Sequence, residues 1–359
     1  MFFVLNQFKS FQYATTLLKA NDLCLSATQI QSTLKLRIKT KHLPVLMALA
    51  VTTALTACSH PASEQSAETI APKVAPKVAQ VGTPSAGNRP KINIASPDWG
   101  NAATLIAMGY PPLATGDVRT WHRWVGTPKL PATTVDLGIR YQPNAELIAQ
   151  LPVDMVVDNF FYKHARNLYG DVPAESIMFA AKGDTATWND YTGPTRQLGQ
   201  LIEEPQLAED YIDKSYQDIT LASEQLKRRY PNVDKFAVVQ FADANNMRMY
   251  VANSLFQPAL AQMDKTLVVL GKGNDFGFVP IRMGDLAQLD QDVCLLIVDP
   301  LSPITRAEIN DSLIWQRLSY GNKRCVGELP PVWIYGGMSS LVRLADNLSN
   351  VTLKGGAAS

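Results

Sequence analysis

The sequence predicts an α/β protein, with two α/β lobes that contain mainly parallel sheets, one on each side of a long helix. Short apolar segments typical of buried strands alternate with helical patterns in both halves of residues 91–355. A long helical pattern at 206–230 separates these halves. The 33 basic residues nearly balance 32 acidic ones, and 46% of the chain is apolar. This composition excludes a disordered chain and argues against a nucleic-acid partner.

The strand and helix segments can be placed by their hydrophobic patterns. We expect strands at 91–96, 153–157, 236–241, 247–251 and 293–298, and helices at 101–108 and 145–151. The central helix is bounded by Pro205, which suits a first helical turn, and by Pro231, which suits a stop. From the pattern alone this helix either connects two domains or is one more surface helix of a single large domain.

The first 57 residues read as an export signal. A basic cluster at 35–41 precedes an apolar segment at 43–56, which is too short for a comfortable transmembrane helix. The following Ala57-Cys58 resembles a bacterial lipobox, so we expect Cys58 to be lipidated; the alternative is a short anchor helix with an incidental cysteine. Residues 1–33 fit no part of a signal peptide, and we expect translation to start near Leu34 or Leu36.

The segment 58–90 is rich in Ala, Pro, Ser and Thr and reads as a disordered tether behind the lipidated cysteine. The expected location is the cell envelope, on the periplasmic side, with the protein held on the membrane by its lipid anchor. The expected domains are an N-terminal lobe at 91–204, a connecting helix at 205–231 and a C-terminal lobe at 232–355.

The sequence lacks the common motifs of enzymes and of protein-built metal sites. The chain has no HExxH or GxSxG motif, and its glycine-rich segment at 271–277 places Phe276 where a dinucleotide loop needs its third glycine. A glycine-rich turn at the mouth of a pocket is the favoured interpretation. We therefore expect no enzyme activity, no cofactor and no metal ligands. Cys294 and Cys325 either form a disulfide or are buried free thiols.

Aromatic residues cluster beside single charged or turn residues in three segments with loop-like patterns. These segments are 121–124, 160–162 and 333–335. Each alone is more often packing than ligand contact, but together they suggest a cleft with aromatic walls and few charges.

Several segments resemble the ferric-siderophore binding proteins of bacterial ABC importers, over nearly all of residues 91–350. They are Trp124-Val-Gly-Thr-Pro, Val135-Asp-Leu-Gly-Ile-Arg, Gln142-Pro-Asn-Ala-Glu, Asn253-Ser-Leu-Phe-Gln and Pro331-Val-Trp-Ile-Tyr-Gly. The hydroxamate (ferrichrome-type) branch is the most similar. The resemblance implies the class III fold, in which a rigid helix joins two lobes around a shallow groove. It also implies capture of a ferric hydroxamate siderophore, delivery to an ABC permease and its ATPase, and a monomeric protein.

The same resemblance implies which residues contact the ligand. In the first lobe they are Trp124, Arg140 and Tyr162, with Phe161 as the rival of Tyr162; in the second lobe they are Phe276, Trp333 and Tyr335. Because the siderophore itself saturates the iron, Arg140 needs only to donate N–H groups to hydroxamate oxygens. The alternative role for Arg140 is a surface salt bridge with Glu146.

Other functions stay open at this stage. The ligand of a similar binding protein could be cobalamin, haem or a catecholate siderophore, although a highly anionic catecholate should need more than one arginine in the cleft. A lipoprotein enzyme on an α/β scaffold and a structural envelope lipoprotein are the alternatives from other classes.

Overall fold

The computed structural model describes residues 91–318 and 324–356. The export signal, the lipidation site Cys58 and the tether lie outside the described residues, and their roles stay predictions. All described residues belong to one compact unit.

The first half of this unit is built on a five-stranded sheet. Its strands are β1 (Ile94–Ala95), β2 (Ala114–Thr115), β3 (Val135–Asp136), β4 (Met155–Asp158) and β5 (Ala174–Ser176). Their order in the sheet is β3-β2-β1-β4-β5, and every neighbouring pair is parallel. The helices of this half are α1 (Trp99–Ala107), α2 (Val118–Trp124), α3 (Ala145–Gln150) and α4 (Asn189–Leu201). The carboxyl ends of these parallel strands lie at one edge, where α/β proteins place their ligands.

The second half is built on a seven-stranded mixed sheet. Its strands are β6 (Lys235–Phe241), β7 (Asn246–Tyr250), β8 (Thr266–Leu267), β9 (Phe278–Arg282), β10 (Val293–Val298), β11 (Val326–Leu329) and β12 (Leu353–Lys354). The order is β12-β11-β10-β6-β7-β9, with β8 beside β6. The β8, β6, β10 and β11 pairings are parallel, whereas β7, β9 and β12 pair antiparallel. The predicted α/β class with mainly parallel sheets is confirmed.

Five helices belong to the second half or lead into it. They are α5 (Pro205–Arg229), α6 (Phe256–Gln262), α7 (Pro303–Asp311) and α8 (Leu313–Gln316), and a last helix, α9 (Met338–Asn350), follows β11. The 25 residues of α5 fulfil the prediction of one long helix between the halves. Its buried face, which includes Ile212, Ile219 and Leu226, packs against α4 from one half and α9 from the other. Burial against both halves makes α5 a connector instead of a free surface helix.

Two of the three aromatic segments are not loops, which corrects the sequence prediction. Trp121 and Trp124 lie on α2, and residues 160–162 begin a 3-10 helix at Phe160–Tyr169. The Asn159 side chain accepts a hydrogen bond from the Phe161 N–H at 3.0 Å and so fixes the start of that 3-10 helix. Helices this short carry too little periodicity to be recognised from sequence.

A disulfide joins Cys294 and Cys325, which settles the alternative that the sequence left open. Cys294 lies on β10 and Cys325 immediately precedes β11, its parallel neighbour, and the Leu295 N–H donates to the Cys325 carbonyl at 2.8 Å. Both cysteines are buried.

Two features are absent from the described part of the chain. No helix there has the length and apolar character needed to cross a bilayer. Within 91–318 and 324–356, no three His, Cys, Asp or Glu side chains are grouped so that they could hold a metal ion.

Candidate ligand-binding cleft

Arg140 lies at the centre of the site, in the loop that follows β3. Its side chain is buried, with 2% of the residue exposed. The guanidinium carbon lies 4.1 Å from the ring centroid of Trp99 and 4.6 Å from that of Trp333. Trp99 belongs to the first half of the molecule and Trp333 to the second, so Arg140 lies between rings from both halves. Such cation–π contacts orient a guanidinium without using its N–H groups.

The loop of Arg140 is held by a glycine and a carboxylate after β2. A Cβ added to Gly116 would lie 2.5 Å from the Arg140 Cα, so only glycine allows this approach. Asp117 adopts a left-handed conformation with φ of 52°, and its N–H donates to the Gly138 carbonyl at 2.6 Å. The Asp117 carboxylate lies 3.8 Å from Nη1 of Arg140. The ion-pair partner is therefore Asp117 and not Glu146, the partner considered from the sequence.

Three buried N–H groups at this point have no hydrogen-bond acceptor among the described residues. They are Nε and Nη2 of Arg140 and Nε1 of Trp333. A buried donor without a partner typically costs about 1–3 kcal/mol, so native proteins rarely keep one without a reason. Three such donors in one aromatic pocket are available to an external molecule with oxygen acceptors.

The second half contributes Trp333 and Tyr335 through the turn between β11 and α9. The Gly336 N–H donates to the Trp333 carbonyl at 2.9 Å, which closes the turn before the helix begins. The Trp333 ring packs edge-on against Trp99 at 5.0 Å and against Trp124 at 6.4 Å, and lies 5.9 Å from Tyr335. The predicted Trp124, Trp333 and Tyr335 are thus brought together with Arg140.

Phe276 also reaches the site, on the glycine-rich turn predicted at a pocket mouth. The Asn274 side chain accepts hydrogen bonds from the N–H groups of Phe276 and Phe278, and Gly277 takes a φ of 77°. The turn presents Phe276 to Phe161 of the first half, with 6.1 Å between ring centroids. Phe161 also lies 6.4 Å from Tyr335. Together these rings form an aromatic contact across the two halves.

Tyr162 and its rival Phe161 occupy different places. Tyr162 is 2% exposed and stacks on Tyr141, with ring centroids 5.1 Å apart. Burial raises the pKa of Tyr162 well above its ordinary value, so its hydroxyl stays protonated and can donate. Tyr162 therefore lies beside Arg140 in the buried floor of the cleft. Phe161 instead contacts Phe276 and Tyr335, which form the wall of the second half.

The pKa values of Arg140 and Asp98, two charged groups in the floor of the cleft, are shifted by burial and by their neighbours. Burial works to lower the pKa of Arg140, but Tyr141, Tyr162 and Asp117 outweigh it, and the pKa is raised. Asp98 lies in the same floor, where its carboxylate accepts from Asn101 N–H at 2.8 Å and from Asn159 Nδ2 at 2.9 Å. Burial raises the pKa of Asp98 to about 6, although both the Asn101 hydrogen bond and the Arg140 charge oppose the rise.

Sequence reasoning missed three residues of this floor: Trp99, Tyr141 and Asp98. A usable signal existed for Trp99 and Asp98, because both directly follow the first strand of the parallel sheet, where ligand sites concentrate. Asp98 also precedes a helix as its N-cap. Tyr141 follows Arg140 and carried no separate pattern.

This architecture is similar to that of known binding proteins. The fold is that of the two-lobe periplasmic binding proteins. No protein-family model matches the chain. The chain is 24% identical over 280 residues to the iron(3+)-hydroxamate-binding protein FhuD of Escherichia coli K12, covering 75% of this chain and 90% of that protein.

Solved structures of binding proteins have a similar fold. The siderophore-binding protein FhuD from Vibrio cholerae, solved with Fe3+-Desferal, superposes with a TM-score of 0.65 at 20% identity and covers 72% of this chain and 97% of that one. FhuD2 from Staphylococcus aureus, solved with ferrioxamine B, gives a TM-score of 0.55 at 11% identity, with coverages of 75% and 100%. The resemblance to ferric-siderophore binding proteins inferred from the sequence is confirmed.

Proposed function

We propose that this protein captures a ferric hydroxamate siderophore between its lobes and delivers it to an ABC permease and its ATPase. The observation that carries the proposal is the group of unpartnered donors, Nε and Nη2 of Arg140 and Nε1 of Trp333, inside an aromatic pocket. The outer surface of a ferric hydroxamate offers oxygen acceptors on an apolar frame, which matches such a pocket.

The chemistry requires no metal ligand from the protein. Ferric iron in a trihydroxamate complex is saturated by the oxygens of its chelator, so the protein recognises only the outside of the complex. Arg140 presents a planar fork of N–H groups, which suits paired oxygens better than a lysine ammonium would. The Tyr162 hydroxyl adds a donor, and Trp124, Phe276, Trp333 and Tyr335 cover the apolar frame.

A rearrangement of rings accompanies binding in this proposal. Arg140 and Trp333 are 2% and 8% exposed, so a ligand reaches their donors only when neighbouring rings move aside. The cross-lobe contacts of Phe161 with Phe276 and Tyr335 are the natural ones to open, because side chains at a binding surface can change rotamer while the two lobes stay in place.

The relatives support the ligand class. The Escherichia coli relative is an iron(3+)-hydroxamate-binding protein, and the two solved structures hold Fe3+-Desferal and ferrioxamine B. By the same reasoning we propose that residues 91–204 and 232–355 act as the lobes, that 205–231 joins them, and that the protein is a monomeric binding protein without enzyme activity. The Cys58 lipid anchor on the periplasmic side remains part of this proposal.

A tryptophan-fluorescence titration tests the ligand class. Trp99, Trp124 and Trp333 border the cleft, so a bound iron complex should quench their emission. We expect saturable quenching by a ferric trihydroxamate at lower concentration than by a ferric catecholate, cobalamin or haem. Saturable quenching by one of the other three, with none by ferric hydroxamates, would assign a different ligand of the same importer class.

A further inference from the structure

A second arginine lies against the cleft wall of the second lobe. Arg248 is on β7, and its guanidinium carbon lies 4.8 Å from the ring centroid of Phe278. Phe278 stacks on Phe276 at 6.5 Å, and Phe276 is the ring that meets Phe161 of the first lobe. Arg248 is therefore linked through two phenylalanines to the aromatic contact between the lobes.

The strand register explains why Arg248 faces this way. Met247 and Met249 are buried in the core on one side of the sheet, and side chains alternate along a strand, so Arg248 and Tyr250 lie on the other side. In the antiparallel pairing of β7 with β9, Arg248 is opposite Pro280 and Tyr250 is opposite Phe278. Residues directly opposite each other share one face of a sheet, which places Arg248 on the face of Phe278.

Arg248 also acts electrostatically on a residue of the proposed ligand site. Burial raises the pKa of Tyr335, and the positive charge of Arg248 opposes that rise. The same holds for Tyr250, whose hydroxyl donates to Oε1 of Gln240 at 2.9 Å. The surroundings of Arg248 thus include the Phe278 ring, the Tyr250 hydroxyl with which it hydrogen-bonds, and the opposite Gln240, and its charge acts on Tyr335 of the proposed ligand site.

Arg140 in the first lobe lies close to two carboxylates. In the first lobe Arg140 has the carboxylate of Asp117 at 3.8 Å, and Asp98 acts on it electrostatically in the same floor. In a ferric trihydroxamate, three singly charged hydroxamates balance the ferric ion, so the core is neutral and Arg140 serves it by hydrogen bonding. A further cation on the opposite wall favours ligands that carry negative charge outside this core.

We propose that Arg248 is a specificity-determining residue that favours ferric hydroxamates bearing a free carboxylate. The carboxylate extends from the iron core along Tyr335 toward the guanidinium, which can receive it in a bidentate pair. This inference rests on the proposed function and names the ligand subclass of the same cleft.

The test uses probes that share one iron core and differ in the charge of a single arm. Ferrioxamine B carries a free ammonium, its N-acetyl derivative is neutral, and its N-succinyl derivative ends in a carboxylate. We expect Arg248→Gln to weaken binding of the N-succinyl complex by about five- to twentyfold, the range of a partly exposed charge-assisted pair. Binding of the N-acetyl complex should change by less than about twofold, since a neutral arm makes no such pair.

Arg282→Gln is the matched control, because it removes the same charge from the far end of β9, opposite Asn246. We expect this control to bind all three probes like the parent, and both variants to keep the parent's melting temperature. An equal loss for all three probes in Arg248→Gln, or no loss for any, would overturn the inference while leaving the proposed function standing. If the parent binds none of the three and no other ferric trihydroxamate, the proposed function itself fails.

Discussion

Two buried arginines, one in the cleft and one at the base of the second sheet, differ in how their donors are used. Arg324 is 3% exposed and Arg140 is 2% exposed. Arg324 donates from Nη1 to the Asp290 carbonyl at 2.9 Å and from Nη2 to the Leu289 carbonyl at 2.7 Å, with only Nε left unpartnered. Arg140 has no comparable carbonyl acceptors in the described chain and is held by rings and by Asp117.

The difference separates an arginine that holds the fold from one that, in our proposal, is kept for a ligand. Charge-assisted hydrogen bonds contribute about 1.5–3 kcal/mol each, so Arg324 stabilises the loop at 289–290. Nε and Nη2 of Arg140 make no such hydrogen bond within the described chain. Burial also lowers the pKa of Arg324, against the charge of Asp290, whereas Tyr141, Tyr162 and Asp117 raise that of Arg140.

The largest expected effect on stability is that of Arg324→Met. The variant leaves the carbonyls of Leu289 and Asp290 without their donors, and we expect the free energy of unfolding to fall by about 3 kcal/mol. Denaturant unfolding measures this loss. Arg140→Met is the matched control and should change the unfolding free energy by less than about 1 kcal/mol, since it removes unpartnered buried donors. Equal losses in both variants would remove the distinction between these arginines.

Gly116→Ala tests whether the position of Arg140 depends on the loop after β2. The added methyl group would meet the Arg140 backbone at 2.5 Å, so the loop must shift. We expect a stability loss of about 1–3 kcal/mol, typical of overpacking, together with weaker ferric hydroxamate binding. Gly109→Ala supplies the control, because a Cβ there would contact nothing within 4 Å and its positive φ should cost stability alone. Unchanged affinity in Gly116→Ala would show that Arg140 tolerates displacement.

A further effect concerns pH. The pKa of Asp98 is raised to about 6 in the fold from an ordinary 3.8, so the folded protein binds more protons than the unfolded chain between these values. The contribution of Asp98 to stability should therefore fall as pH rises through this window, by up to about 3 kcal/mol. Asp98→Asn should flatten this fall in unfolding experiments at pH 4 to 7, whereas the exposed Asp171→Asn should keep it. Parallel pH profiles for the parent and Asp98→Asn would contradict the role given to Asp98.

Parts of the fold were predictable where one local pattern decides the structure. The strand at 293–298 was placed without error because six consecutive buried residues leave no other solution. The helix α5 was placed within one residue at each end because prolines mark its limits. The short helix α2 was missed, since Asp117 starts it in a left-handed conformation without a side-chain cap.

For the candidate site, the sequence named residues that the structure brings together but did not predict how they pair. Trp124, Arg140, Phe276, Trp333 and Tyr335 came from a resemblance, and the structure brings them together. The partner of Arg140 could not be read from the sequence, because Asp117 reaches it through a turn that depends on Gly116 and Gly138. Likewise, the meeting of Trp99 with Trp333 depends on how two lobes pack, which no local pattern encodes.

The central claim, that the buried Arg140 is kept for a ligand, is tested most directly by titrating the parent, Arg140→Met and Arg140→Lys with a ferric trihydroxamate. We expect Arg140→Met to bind about ten- to a hundredfold more weakly, the value of one or two charge-assisted bonds. Arg140→Lys should recover only part of this loss, because an ammonium lacks the planar fork. The melting temperature of both variants should match that of the parent. Parent-like affinity in Arg140→Met, at an unchanged melting temperature, would contradict the claim.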